Sequence, residues 1–115
     1  VNDCVFCRIV SGEIPATVIS RTDRAVAFRD LDPKAPTHVL IVPLQHFGSA
    51  RDATGEGGAQ LLGHLVQFAT GVAAQQGLDA RGYRLVINTG PDAGQSVAHL
   101  HLHLLGGRVM HWPPG

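Results

Sequence analysis

The apolar residues of this 115-residue chain fall into short runs whose period changes along the sequence. Phe6, Ile9 and Val10 recur at helical spacing, which predicts a short helix over Cys4 to Val10, with Asp3 as N-cap and Ser11-Gly12 as its end. After Ile14-Pro15 the pattern tightens. Ala16–Arg21, Ala25–Asp30 and Thr37–Val42 carry Val, Ile and Phe between turn residues, and the loop Leu31 to Pro36 holds two prolines. Three such segments in quick succession predict an antiparallel meander. From about Glu56 to Gln76 the period lengthens again, with Leu61, Leu65, Phe68 and Val72 on one stripe, Leu62 and Ala69 beside it, and Gly77 as C-cap. Gly63 and Gly71 inside that pattern each cost about 1 kcal/mol against alanine, so packing must hold this helix, and a partner backbone approaching closely would account for them. Tyr83–Thr89 and Val97–Leu105 close the pattern as two further strands around a loop from Gly90 to Gln95. The expected fold is therefore α+β, a single domain over 1–115: an antiparallel five-stranded meander sheet carrying a short N-terminal helix and one long helix on one face.

In the last strand three histidines, His99, His101 and His103, alternate with Leu100, Leu102 and Leu104. Side chains alternate between the faces of a strand, so the imidazoles share one face and the leucines the other, with neighbouring rings about 7 Å apart along the chain. Two chemistries suit such a ledge. Imidazoles two apart can share a zinc ion. Alternatively, a neutral imidazole can attack phosphorus while a neighbour stabilises the developing charge. The preceding loop favours the second, because Gly90, Gly94 and Ser96 allow backbone N–H groups and a hydroxyl to converge on a phosphate.

Charge and composition narrow the partners. Nine basic residues balance nine acidic ones, which argues against a protein that holds nucleic acid by neutralising many phosphates, and leaves room for one small phosphorylated ligand. The longest apolar run, Val39 to Leu44, is too short to cross a bilayer, and nothing resembles a signal peptide, so no membrane and a cytoplasmic location are expected. Both cysteines lie in one Cys4-Val5-Phe6-Cys7 unit, which in a reducing compartment suits half of a metal site or a redox couple. No βαβ pattern surrounds it, which weakens the redox option.

The sequence HLHLHLL at His99–Leu105, preceded by GQSVAH, resembles the motif of the histidine triad (HIT) superfamily, and most closely its histidine triad nucleotide-binding (HINT) branch of nucleoside phosphoramidases. The resemblance extends to GEIPA at Gly12–Ala16, AFRDLDPKAPTH at Ala27–His38, IVPLQH at Ile41–His46, LLGHL at Leu61–Leu65, GYRLVIN at Gly82–Asn88 and the ending GGRVMHWPPG.

The resemblance implies a purine nucleoside 5′-phosphoramidate hydrolase working through a covalent nucleotidyl-histidine. Within the triad His99, His101 and His103, it makes His101 the nucleophile and His103 the group that stabilises the phosphate, with Ser96 assisting the departing amine. Asn88, Gly94 and Gln95 would complete the phosphate and ribose contacts, Asp30 would bind the ribose hydroxyls, and Phe6, Ile9, Phe28 and Leu31 would form the base pocket. In bacterial members resembling this chain, a structural zinc is held by residues matching Cys4, Cys7, His46 and His99. The ending implies a homodimer, its sheet continued across the interface, in which Trp112 reaches the partner's site. The HWPPG ending sets the chain apart from dinucleoside polyphosphate hydrolases, the rival enzyme class; a binding or scaffolding module with incidental hydrolysis is the non-enzymatic rival. His38 and His64 are expected to be packing or surface residues.

Overall fold

The structure is a computed structural model, and it describes residues 3–115. Five strands form one sheet: β1 (Val18–Arg21), β2 (Ala25–Arg29), β3 (Thr37–Pro43), β4 (Tyr83–Val86) and β5 (Leu102–Gly106). Every neighbouring pair is antiparallel, and the order is β1-β2-β3-β5-β4. The first three strands are the expected meander. The final hairpin enters with β5 inside and β4 at the edge, because Leu102 and Leu104 of β5 are fully buried whereas all of β4 is only half-buried. The more apolar strand takes the position covered on both faces.

Helices α1 (Val5–Val10) and α2 (Gly55–Gln75) cover opposite faces of this sheet rather than the one face expected, because β2 and β3 are apolar on both sides. Strands β2 and β3 sort their side chains accordingly. Ala25, Ala27, Val39 and Ile41 pack with Leu61, Leu65, Ala69 and Val72 of α2, while Val26, Phe28, Leu40 and Val42 pack with Phe6 of α1. The buried stripe of α2 runs through Ala69, with Phe68 half-buried beside it and stacked on His64. After Gln76, Gly77 takes φ +75°; its N–H donates to the Ala74 carbonyl and that of Leu78 to Ala73, a Schellman ending that satisfies two terminal carbonyls. At the other end Gly58 is obligatory, since a Cβ there would lie 2.2 Å from the Ala53 carbonyl carbon. Among the described residues no helix is long and apolar enough to cross a membrane.

Two local expectations are corrected. The N-cap of α1 is Cys4 rather than Asp3: its Sγ accepts the Cys7 N–H at 3.3 Å. The histidine segment is regular strand only from Leu102, so His99 and His101 precede the ladder. The ladder with β3 ends at Ile41 and Leu102; beyond it the Leu100 N–H donates to the Phe47 carbonyl at 2.7 Å instead. The chain stays extended enough to preserve the alternation: Leu100, Leu102 and Leu104 all lie in the α2-side core, and the histidines face the α1 side.

Candidate functional site

On the α1 face, the five-residue cluster around Phe6 is smaller than the core beneath α2, and it leaves a cavity of about 270 Å³. Its walls include Phe6, Ile9, Phe28 and Leu40 on one side and Ser96, Val97, His101 and His103 on the other, with Asp30 and Leu31 at its rim. Larger depressions of about 490 and 560 Å³ lie over the start of α2 and beside the C-terminal segment, and one of about 480 Å³ borders Cys4, His46, Ser96 and Val97; none of them is lined by a triad histidine. The Phe6 ring sits edge-on to Phe28, His99 and His101, with centroids 5.7, 5.8 and 5.0 Å away, so one aromatic residue braces two of the three triad rings.

The hydrogen bonds fix which nitrogen of each ring carries the proton, because a carbonyl can only accept and a backbone N–H can only donate. His101 Nδ1 lies 2.6 Å from the His99 carbonyl, so Nδ1 holds the hydrogen and Nε2 keeps its lone pair. His99 Nε2 lies 3.0 Å from the Pro43 carbonyl, so its Nδ1 is the free acceptor. His38 Nδ1 accepts the Lys34 N–H at 3.0 Å; its Nε2–H then donates to His103 Nδ1 at 2.9 Å, with the Asp30 carboxylate 3.4 Å away. His103, accepting at Nδ1, carries its own hydrogen on Nε2. The result is one ring with an unengaged Nε2, His101, beside one with a free N–H, His103, at a centroid distance of 5.1 Å. Burial, reinforced by the neighbouring imidazoles of His101 and His38, holds His103 at a pKa of about 4, so it is neutral at physiological pH. Burial likewise lowers His38 against the opposing pull of Asp30.

The third ring faces elsewhere. His99 is fully buried, and its Nδ1 lies 3.2 Å from Cys4 Sγ and 3.5 Å from Cys7 Sγ; His46 Nδ1 lies 3.3 Å from Cys7 Sγ. The four donor atoms are all within 4.8 Å of one another. The edge of a zinc tetrahedron with these ligand types is about 3.6 Å, so the quartet fits a closed Cys2His2 site. His99 offers the lone pair such a site needs. Burial, then the hydrogen bond and charge of Cys4, raise the Cys7 thiol, a penalty that a coordinated cation removes. A second group, Asp30, His38 and His103, also lies within 4.8 Å, but His38 Nε2 carries the hydrogen imposed by Lys34 and has no lone pair to offer. That group is a hydrogen-bonded chain rather than a metal centre.

Comparison with known proteins agrees with this geometry. The family model described as "HIT domain" matches residues 11–110. The chain belongs to the HIT family. This HIT chain is 49% identical to a 14 kDa zinc-binding protein of Zea mays, over 96% of its own length and 87% of that protein's. It is 46% identical to adenylylsulfatase HINT1 of Arabidopsis thaliana, covering 96% of this chain and 76% of that one. A crystal structure of a HIT family hydrolase from Legionella pneumophila superposes with a TM-score of 0.93 at 48% identity, covering 97% and 99% of the two chains.

Of the site residues expected from the sequence of this HIT chain, the fold brings Phe6, Ile9, Phe28, Asp30, Leu31, Ser96, His101 and His103 around one cavity, and Cys4, Cys7, His46 and His99 around another centre. Asn88 and Gly94 do not line the cavity, and Trp112 is 81% exposed in the tail. Gln95 faces inward, its amide bonded to backbone groups. Sequence reasoning missed His38, which it placed among packing residues; it is 5% exposed and in contact with the triad. Its only signal was a histidine on an otherwise apolar central strand, and the pairing of Leu40 with His103 that brings it there is a matter of register.

Proposed function

We propose that this HIT-family protein hydrolyses purine nucleoside 5′-phosphoramidates. The observation that carries the reading is the complementary pair of imidazoles in the cavity: His101, with Nδ1 on the His99 carbonyl, turns Nε2 to the substrate beside an N–H on His103 Nε2. His101 Nε2 attacks the α-phosphorus and the P–N bond breaks; the nitrogen leaves as an amine after gaining a proton, a transfer that Ser96 assists. Water then splits the nucleotidyl-histidine, releasing nucleoside monophosphate and restoring His101. His103 donates to the phosphoryl oxygens as charge develops, and His38 holds it in the donating tautomer. The base enters between Phe6, Ile9, Phe28 and Leu31, and Asp30 accepts from the ribose hydroxyls.

Cys4, Cys7, His46 and His99 hold zinc in this reading, supported by the donor set, the His99 tautomer and the name of the maize relative. The ion would be structural, fastening α1 to the sheet, because four protein ligands leave it no open position. A homodimer accompanies the reading. The open edge of β4, exposed Val109 and Trp112, and the empty space at Gly63 and Gly71 on α2 all suit a second copy. Sedimentation equilibrium giving only the monomer mass would remove that part.

The deciding assay is turnover of a fluorogenic AMP phosphoramidate by wild type and His101→Ala. Equal rates would sink the mechanism. Because one relative carries the name adenylylsulfatase, adenosine 5′-phosphosulfate belongs in the same comparison, with diadenosine triphosphate as the polyphosphate rival. Preference for either over the phosphoramidate would reassign the leaving group. A wild-type kcat/KM near background for all three would leave a nucleotide-binding module.

A further inference from the structure

We propose that the Gln95 side chain is a positioning residue that closes the phosphate loop and thereby fixes Ser96 for its work on the leaving group; the role rests on the phosphoramidate reading. A primary amide has two N–H donors and a carbonyl acceptor. In Gln95 all three are consumed by backbone groups from three separate stretches. Oε1 accepts the Gly90 N–H at 2.9 Å, while Nε2 donates to the Gly48 carbonyl at 2.7 Å and to the Val97 carbonyl at 3.0 Å. The pattern also settles the amide orientation, since carbonyls face the NH2 and an N–H faces the oxygen.

The consequences follow from where these three groups lie. The bond to Gly90 joins the two ends of the loop, beside the backbone bond from the Gln95 N–H to the Gly90 carbonyl at 3.2 Å. The loop's other corner is held by the Gly94 N–H on the Pro91 carbonyl at 3.0 Å, with both Gly90 and Gly94 at positive φ. The bond to Gly48 ties the closed loop to the segment after β3, continuing the seam begun by the Leu100 N–H on the Phe47 carbonyl. The bond to Val97 reaches over Ser96. Ser96 is therefore flanked by the residue that supplies the amide and the residue whose carbonyl receives it. Ser96 lines the His101 and His103 cavity, and its placement comes from the backbone that Gln95 clasps.

Glutamate at this position keeps the shape and the acceptor but turns oxygen lone pairs toward two carbonyls; methionine keeps the length and loses all three bonds. Gln95→Glu and Gln95→Met are compared with wild type on an alkylamine AMP phosphoramidate and on the p-nitrophenyl ester of AMP, whose phenolate leaves without a proton. Ser96→Ala and the Gln95→Met/Ser96→Ala double variant complete a cycle. Misplacement of a catalytic group by about 1 Å costs on the order of 100-fold, so kcat for the amine substrate should fall about 10- to 100-fold, with KM changed less than about threefold. The nitrophenyl ester should lose less than about threefold, and Gln95→Met should cost little further once Ser96 is gone. Equal losses on both substrates, or losses that multiply in the double variant, would show Gln95 to be ordinary scaffold and overturn the proposal. Wild type without turnover of the amine substrate overturns the functional reading, and this role with it. Wild-type turnover with unaffected Gln95 variants overturns the role alone. Unfolding midpoints of all variants identify any that fail to fold, and either Gln95 variant suffices.

Discussion

Acidification should strip this domain of stability through His103 in a predictable window. The group's ordinary pKa is 6.5, and in the folded chain it lies at about 4, because burial penalises the charged ring and the neighbouring His101 and His38 rings repel a further proton. The folded value lies below the unfolded one, so the unfolded chain takes up the proton first. Stability contributed by the neutral ring is thus complete above pH 6.5 and is lost as pH falls from 6.5 toward 4. At 1.36 kcal/mol per pH unit the difference corresponds to about 3 kcal/mol. The ring is partly accessible from the cavity, and solvent screening reduces this to about 1–2 kcal/mol. Urea unfolding at pH 7.5 and pH 5 measures the loss; His103→Gln, which cannot titrate, should lose about 1 kcal/mol less than wild type over the same interval. Selective 15N labelling of histidine should show His103 neutral, protonated at Nε2, throughout this range. A His103 resonance titrating between pH 6 and 7, or the same pH dependence in His103→Gln, would refute the burial argument, and a neutral His103 protonated at Nδ1 would refute the tautomer derived from Lys34 and His38.

Other expectations concern the parts that hold the site. Phe6→Ala removes the ring that braces His99, His101 and Phe28, and should cost about 3–5 kcal/mol in urea unfolding, with a larger loss of activity than of nucleotide binding. Protein purified without chelator should carry about one zinc per chain, and Cys7→Ser less than about half, with a lower unfolding midpoint; the same content in both would refute the Cys2His2 assignment. Gly58→Ala should destabilise by about 1–3 kcal/mol, since its Cβ would meet the Ala53 carbonyl; an unchanged denaturation midpoint would mean the start of α2 yields freely.

Much of this protein was legible in the chain because the relevant physics is local and periodic. Apolar, β-branched runs between turn residues marked β2 and β3, period near four marked α2, and the alternation of His with Leu placed the imidazoles together on one face and the leucines under α2. The motif resemblance extended this to the residues around the cavity and to the Cys4, Cys7, His46 and His99 cluster, residues separated by up to 95 positions that no local pattern connects. What the sequence could not supply is register and direction. Whether β5 lies beside β3 or at the edge depends on which strand gains more by burial on both faces. That placement alone brings His38 against His103 and turns a histidine of the central strand into part of the site. The placement of protons on the three histidines was likewise decided in three dimensions. The Pro43 carbonyl directs the lone pair of His99 toward the cysteines, the His99 carbonyl leaves His101 a free lone pair, and the Lys34 N–H, through His38, leaves His103 a free hydrogen. A sequence names the rings; only the backbone groups opposite them assign the protons.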